Sequence, residues 1–311
     1  MRGRFAPSPT GRLHLGNART AMLAWLQARA AGGSFLLRIE DLDPARSRSE
    51  YVDELFRDLE YLGLTWDEQP VFQSRRSAAY QAALHLLRQK GLTYECFCSR
   101  AEIARSASAP HGAADEGPPY PGTCARLDGA AADARRKQRA PAVRYRVPPG
   151  AVELVDLVHG RFQQDIASAV GDFVVRRNDG IASYQLAVVV DDADTGITDV
   201  LRGEDLLAST PRQLLLYRAL GLRPPSFAHV PLLTEPTGRR LAKRDGVFSV
   251  AELRRRSIPA ERIIGMLASW SGLGDEDGPA AAWVSRFRLE AIARHPSAVD
   301  DELIKRKLGI A

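Results

Sequence analysis

Arg4-Phe5-Ala6-Pro7-Ser8-Pro9-Thr10-Gly11 leads into His14-Leu15-Gly16-Asn17, a Gly/Pro-rich turn running into a helix with a histidine at its mouth. Backbone N–H groups and the positive end of a helix dipole meet at such a place. The chemistry is phosphate binding, with His14 as a donor and Gly16 allowing close approach of a ligand. Far along the chain, Thr237-Gly238-Arg239-Arg240-Leu241-Ala242-Lys243-Arg244-Asp245-Gly246 is a basic loop. A mobile ammonium such as that of Lys243 can offset negative charge on a phosphate. The third group is Cys96-Phe97-Cys98 with Cys124, all the cysteines of the chain. Two near-adjacent thiolates and a third across a loop follow the ligand logic of one zinc ion stapling a segment with little core of its own. Simple chemistry offers His111 as the fourth ligand, and three inert thiols are the alternative.

As an ordered pair, the first two stretches resemble the nucleotide-binding signatures of class I aminoacyl-tRNA synthetases. The wording Arg-Phe-Ala-Pro-Ser-Pro-Thr-Gly is similar to that of their glutamyl and glutaminyl branch. The resemblance runs from Arg4 to about Gly246 and implies a Rossmann-like, parallel-sheet α/β catalytic domain. It implies that His14 and Lys243 are catalytic and that His14, Gly16, Asn17, Arg240 and Lys243 bind ATP, which enters with Mg²⁺. Lys243 stands at the second lysine of the family's Lys-Met-Ser-Lys-Ser loop, Arg240 at the first and Ala242 at the serine. Asn17 stands where the family's nominal second histidine would be.

The same resemblance gives glutamate to Arg4, Phe5, Ala6, Pro7, Ser8, Glu40, Tyr184 and Arg202, with Arg202 of Leu201-Arg202-Gly203-Glu204-Asp205 meeting the side-chain carboxylate. The physical sense is direct: a guanidinium grips a carboxylate, and an acid such as Glu40 pairs with an α-ammonium. For the metal, the family's Tyr-x3-Cys spacing fits Tyr120-Pro121-Gly122-Thr123-Cys124 and favours Tyr120 over His111 beside Cys96, Cys98 and Cys124. With that insertion and a short stretch after Gly246, the chain resembles the shortened glutamyl-Q tRNA(Asp) synthetase family. The expected partners are then glutamate, ATP and a tRNA(Asp) carrying queuosine. Expected rivals are a shortened enzyme charging tRNA(Glu), a non-catalytic tRNA-binding paralogue, and a zinc-organised nucleic-acid-binding protein.

The elements that must hold these groups can be read from periodicity. Residues 17–31 are Ala/Leu-rich and end at Gly32-Gly33, which predicts a helix with a glycine stop. Phe35-Leu36-Leu37-Arg38-Ile39 predicts a strand, and Asp43-Pro44 the start of a helix carrying Tyr51, Val52, Leu55, Phe56, Leu59 and Leu62. Residues 76–90 predict another helix, 106–140 a loop-rich insertion, and Val143–Val147 a strand. Apolar strands are predicted at 173–175 and 185–190, the latter opened by Tyr184, with helical patterns at 204–220 and 261–270. Asp191, Asp192 and Asp194 read as a solvated turn, since they lack a calcium-loop pattern. The alternation predicts a parallel sheet. Its two halves are expected at 1–95 and 141–246, the zinc insertion at 96–140, and a short helical tRNA-contact region at 247–311, where Arg254, Arg255, Arg256 and Lys305 would meet phosphates.

Composition narrows the class only a little. The 311 residues, 45% hydrophobic and 26% charged, suit a globular fold with a sizeable core, and the net charge of +5 fits a polyanionic partner without requiring one. No stretch approaches the roughly 18 apolar residues of a membrane span, and the start lacks the apolar segment of a secretory signal. An odd number of cysteines makes no disulfide framework. The expectation is a soluble, cytoplasmic monomer without a membrane partner.

Overall fold

The computed structural model describes residues 1–106, 118–238 and 248–310. Strand β1 (Arg2–Phe5) passes through the Pro-rich turn into helix α1 (Leu15–Ala30). His14 caps that helix: its ring Nδ1 accepts from the Asn17 amide at 3.2 Å. Gly32, at φ +63°, supplies the left-handed turn that ends it. Helix α1 is buried almost along its length, and the chain returns as β2 (Ser34–Ile39), parallel to β1 with Phe5 opposite Leu37.

Helix α2 (Ser49–Tyr61) starts five residues later than the Asp43-Pro44 signal predicts. The reason is local. Asp43 folds the chain back on itself, its Oδ1 accepting from the Ala45 amide at 3.2 Å and its carbonyl from the Ser47 amide at 2.9 Å. The Arg48 amide is then taken by the Pro9 carbonyl at 3.2 Å, which pins this turn to the first signature. Strand β3 (Val71–Phe72) joins the far edge of β2 in parallel, and α3 (Ser77–Gln89) follows.

The middle of the chain is antiparallel. Strands β4 (Thr93–Cys96), β5 (Ala142–Tyr145) and, beyond the hairpin, β8 (Phe173–Arg176) form a sheet with β5 central. Between β4 and β5 lie helices α4 (Arg100–Ser106) and α5 (Gly129–Arg136), the second capped by Asp128, whose side chain accepts from the Ala131 amide. The hairpin of β6 (Ala151–Asp156) and β7 (Gly160–Asp165) and the turn α6 (Ile166–Ala169) complete this part.

Residues Tyr184–Asp194 form helix α7, where the sequence predicts a strand over 185–190. Ser183 caps it, its side chain accepting from the Leu186 amide. The run Leu186 to Val190 is buried on every side between neighbouring elements, so no polar face imposes a helical period, and its β-branched valines imitate a core strand. Strand β9 (Asp199–Gly203) then leads through a 3₁₀ turn, Glu204–Ser209, into α8 (Thr210–Leu220) and on to β10 (Ser226–Val230), parallel to β9.

Strand β9 lies on the edge of β1 away from β2. The Arg2 amide and carbonyl both turn to Thr198, at 2.8 and 3.0 Å. The layer therefore runs β3-β2-β1-β9-β10, and the chain leaves β1 and β9 toward opposite sides. In open parallel sheets that switch point, at the carboxyl ends of the strands, is where ligands bind. Beyond β11 (Leu233–Thr234), α9 (Val250–Arg255) packs on α2, α10 (Ala260–Ser269) on α1 and α11 (Asp301–Leu308) on α10, with β12 (Ser297–Ala298) paired to β11. Ile263, Ile264, Met266, Leu267, Ile304 and Leu308 share one core with α1.

Candidate active site

A cavity of about 870 Å³ opens at the switch point. Its wall brings together Arg4, Phe5, Ala6, Pro7, Ser8, His14, Gly16, Asn17, Glu40, Tyr184 and Arg202, which come from five separate stretches of sequence. Arg240 and Lys243 lie outside the described residues. Arg19, Thr20, Arg46, Asp205 and Pro231–Leu233 also line it and were not anticipated from sequence.

At one end the cavity meets the N-terminus of α1. The His14 Nδ1 is the acceptor in the helix cap, which assigns the hydrogen of the neutral ring to Nε2. A Cβ on Gly16 would come to 3.2 Å from the His14 Cε1 and Nδ1, so glycine is what lets the ring sit against the helix start. The chain after the second signature is anchored nearby. The Val250 amide donates to the Leu13 carbonyl at 2.9 Å, and Ser249 bridges to His14, so the residues that follow the basic loop are stitched to the first signature.

The other end is ionic and buried. Arg4 is only 4% exposed, and its Nε and Nη2 both donate to Asp192, at 3.3 and 3.4 Å. Arg38 donates to the same carboxylate at 2.5 Å and to Glu40 at 3.3 Å. Burial raises the Glu40 carboxyl above its ordinary value despite Arg38 and Arg4. Burial would raise Asp192 as well, but there the two arginines outweigh it and hold the carboxyl low. Behind this row, Asp191 takes Arg76 at 2.5 Å, Gln73 at 2.7 Å and the Tyr80 hydroxyl at 2.9 Å. The solvated turn read from sequence is thus corrected: Asp191 and Asp192 face the core from the end of α7, and Asp194 is the exposed one. Long-range arginines, which carry no local signal, decide this.

Arg202 is also 4% exposed, at the carboxyl end of β9. Its Nε donates to the His229 Nε2 at 3.0 Å, and its Nη2 donates to Thr210 Oγ1 and Gln213 Oε1, each at 2.8 Å. Nη1 reaches the Tyr184 hydroxyl at 3.4 Å. Among the described residues no carboxylate is hydrogen-bonded to it, and burial pulls its pKa down. A buried cation surrounded by neutral acceptors is a binding site for an anion. His229 and Asp156 behind it were missed: they sit in different strands, β10 and β6, with no spacing to connect them.

The cysteines converge as their spacing suggests. The Sγ atoms of Cys96, Cys98 and Cys124 lie within 4.8 Å of one another, and Cys98 and Cys124 are 3.5 Å apart. Tetrahedral zinc with bonds near 2.3 Å sets sulfurs about 3.8 Å apart, so this donor set fits the ion. The Tyr120 hydroxyl lies 3.4 Å from Cys96 Sγ and 3.8 Å from Cys98 Sγ and accepts from the Cys124 amide at 2.8 Å, while the Arg144 guanidinium lies over its ring at 3.7 Å. His111 lies outside the described residues.

Residues 1–274 match the family model of class I tRNA synthetases (E and Q), catalytic domain. The chain belongs to that family. This synthetase is 50% identical to a glutamyl-Q tRNA(Asp) synthetase of Symbiobacterium thermophilum, over 99% of this chain and 98% of the relative. It is 49% identical to the one of Nitratidesulfovibrio vulgaris, over 88% and 87%. A glutamate–tRNA ligase of Synechococcus is 47% identical over 86% of this chain, but only 57% of that longer protein is spanned. Among solved structures, a glutamate tRNA ligase of Elizabethkingia meningosepticum in complex with its amino acid superimposes on the synthetase with a TM-score of 0.84, at 29% identity, covering 99% of this chain and 68% of that one. Among the described residues no helix is long and apolar enough to cross a membrane.

Proposed function

We propose that this synthetase activates glutamate with ATP and Mg²⁺ and passes it to the queuosine base of tRNA(Asp). The α-carboxylate of glutamate attacks the α-phosphorus of ATP; the bond from that phosphorus to the bridging oxygen breaks, and pyrophosphate leaves. A ring hydroxyl of queuosine then attacks the acyl carbon, AMP departs, and an ester of glutamate remains. The observation that carries the reading is Arg202, a buried guanidinium whose hydrogen-bond partners among the described residues are neutral, in the same cavity as the N-terminus of α1. One group selects an amino acid with an anionic side chain, and the other suits phosphate.

In this reading Arg202 and Tyr184 take the side-chain carboxylate. Arg4, Ser8 and Glu40 hold the α-groups, with Phe5, Ala6 and Pro7 as the wall between; the Pro7 carbonyl, accepting from the Glu40 amide at 3.0 Å, fixes that wall. His14, Gly16, Asn17, Arg240 and Lys243 attend the phosphates, His14 and Lys243 in the transition state. Zinc held by Cys96, Cys98, Cys124 and Tyr120 would staple residues 96–140 between the catalytic halves, 1–95 and 141–246. Residues 247–311 would meet the tRNA. There Arg254 is held by Asp58 at 3.2 Å, Arg255 and Arg256 by Glu252 at 3.0 Å, and Lys305 by Glu302 at 3.1 Å, so phosphate contact must compete with these pairs.

The test is amino-acid-dependent ATP–pyrophosphate exchange without tRNA, with glutamate against glutamine and aspartate. It is followed by transfer of labelled glutamate to tRNA(Asp) with and without queuosine and to tRNA(Glu). Exchange with glutamate alone and label only on queuosine-bearing tRNA(Asp) are expected. Label on tRNA(Glu) would replace the acceptor, and no exchange with any amino acid would remove the activation step.

A further inference from the structure

The Arg202 guanidinium is oriented from behind by two groups that do not line the cavity. His229, in β10, is fully buried, and its Nε2 lies 3.0 Å from the Arg202 Nε. An arginine Nε always carries a hydrogen, so the His229 Nε2 must present a lone pair. That requires the other ring nitrogen to be the protonated one. The Asp156 Oδ2, 2.6 Å from His229 Nδ1, accepts that hydrogen.

Asp156 is itself held from three directions. The amides of Val158, His159 and His229 donate to it at 3.0, 2.9 and 3.1 Å, which keeps it an acceptor. Burial alone would raise its carboxyl, but the His229 ring and these amides outweigh it and keep it ionised. The chain of donors thus runs one way only, from Arg202 to His229 to Asp156.

We propose that Asp156 and His229 are positioning residues of the amino-acid pocket: Asp156 locks the Nδ1–H tautomer of His229, and the ring then fixes the Arg202 Nε so that the Nη1 end is presented beside Tyr184. This rests on the reading of Arg202 as the contact for the substrate's side-chain carboxylate. With Nε given to His229 and Nη2 to Thr210 and Gln213, Nη1 is the edge that shares the cavity with the Tyr184 hydroxyl. The geometry offers one end of the fork, not a two-pronged grip. Substrate charge is matched while its position is set by the ring behind. The Asp156 charge, relayed through a neutral imidazole, also faces the cation without competing for the substrate.

The distinguishing perturbation is Asp156→Asn. An asparagine turned to donate to Nδ1 would move the ring hydrogen to Nε2, setting an N–H against the N–H of Arg202. His229→Gln has no tautomer, and its carboxamide oxygen can accept from Arg202 whichever residue stands at 156. In glutamate-dependent ATP–pyrophosphate exchange, Asp156→Asn should raise the KM for glutamate about 10- to 100-fold, the scale of one unmade buried hydrogen bond, with the KM for ATP little changed. His229→Gln keeps an acceptor for Arg202, but on a looser side chain than the ring, and should raise the same KM by less than Asp156→Asn does. The double variant, Asp156→Asn with His229→Gln, should recover most of the loss, which a purely structural role for Asp156 would not allow.

Long-range ¹H–¹⁵N spectra of the ring in the unmodified protein give a second readout that does not depend on the variants folding, and should show the hydrogen on Nδ1. A hydrogen on Nε2, or a double variant no better than Asp156→Asn alone, overturns the inference. Absence of glutamate-dependent exchange in the parent protein would instead defeat the proposed function, while leaving the tautomer measurable.

Discussion

Asp192→Asn is the sharpest test of the ionic floor of the cavity. Asp192 is 2% exposed and receives Arg38 at 2.5 Å and two nitrogens of Arg4 at 3.3 and 3.4 Å. The amide keeps the shape but removes the charge between two buried guanidiniums and turns an NH₂ toward one of them. Breaking a buried pair from one side costs about 3–5 kcal/mol. Arg38 retains Glu40 at 3.3 Å and Asp191 at 3.8 Å, which puts the expected loss at the low end. With an unfolding entropy of roughly 650 cal/mol/K for a chain of this length, about 3 kcal/mol lowers the melting temperature by about 5 °C. Asp194→Asn is the control, because its side chain is 52% exposed and pairs with Arg76 near the surface, so it should shift the midpoint by about 1 °C or less. The two arginines hold the folded pKa of Asp192 below its ordinary value against burial. Its contribution is therefore complete at neutral pH and is lost only as pH falls through that depressed value. Calorimetry at pH 7 with glutamate KM as a parallel readout decides the matter. Equal, small shifts for both variants would return the acids to the solvated turn that the sequence suggests.

Three further outcomes follow from the same geometry and from the motifs. Protein purified without added zinc should carry about one zinc per chain, and Cys98→Ser should abolish it; Tyr120→Phe keeping the metal while His111→Ala loses it would move the fourth ligand to His111. Lys243→Ala should cut glutamate-dependent exchange by about 100-fold or more, the scale for losing one preorganised charge at a transition state, and near-normal exchange in a folded variant would remove Lys243 from the phosphate site. His229, pushed down to about 4 by burial against the pull of Asp156, binds a proton in the unfolded chain between its ordinary value of 6.5 and 4 that the folded chain does not. Stability should therefore fall by up to about 3 kcal/mol as pH drops across that window. His229→Gln should flatten the fall in urea titrations at pH 7.5 and 5, and an unchanged slope would assign the acid sensitivity elsewhere.

What the sequence revealed depended on whether the cause was local. The His14 cap, the Gly32 stop, the β1–turn–α1 path and the cysteine spacing each rest on a few adjacent residues, and each is legible. Much of the cavity lining was legible as well, because Arg4 to Ser8, Glu40 and Arg202 sit in recognisable wordings at strand ends, with Tyr184 at the start of α7. Helix α7 was not, since burial on all sides erases the period that would distinguish it from a strand. The start of α2 was misjudged because Asp43 can cap a helix or close a turn, and the Pro9 carbonyl that decides between them lies 39 residues upstream of the Arg48 amide it receives. The Asp156–His229 pair, 73 residues apart, and the arginines on Asp192 are tertiary facts. No window of sequence contains both partners.

The most direct measurement of the central claim uses tRNA(Asp) that carries queuosine but has had its 3′-terminal nucleotide removed. Periodate is unsuitable, because it would attack the cyclopentene diol of queuosine along with the terminal ribose. With ATP, Mg²⁺ and labelled glutamate, the truncated tRNA should accept label as well as the intact one, in an alkali-labile ester that maps to the anticodon after nuclease digestion. Label that disappears with the 3′ nucleotide, or that appears equally on tRNA lacking queuosine, would contradict the account.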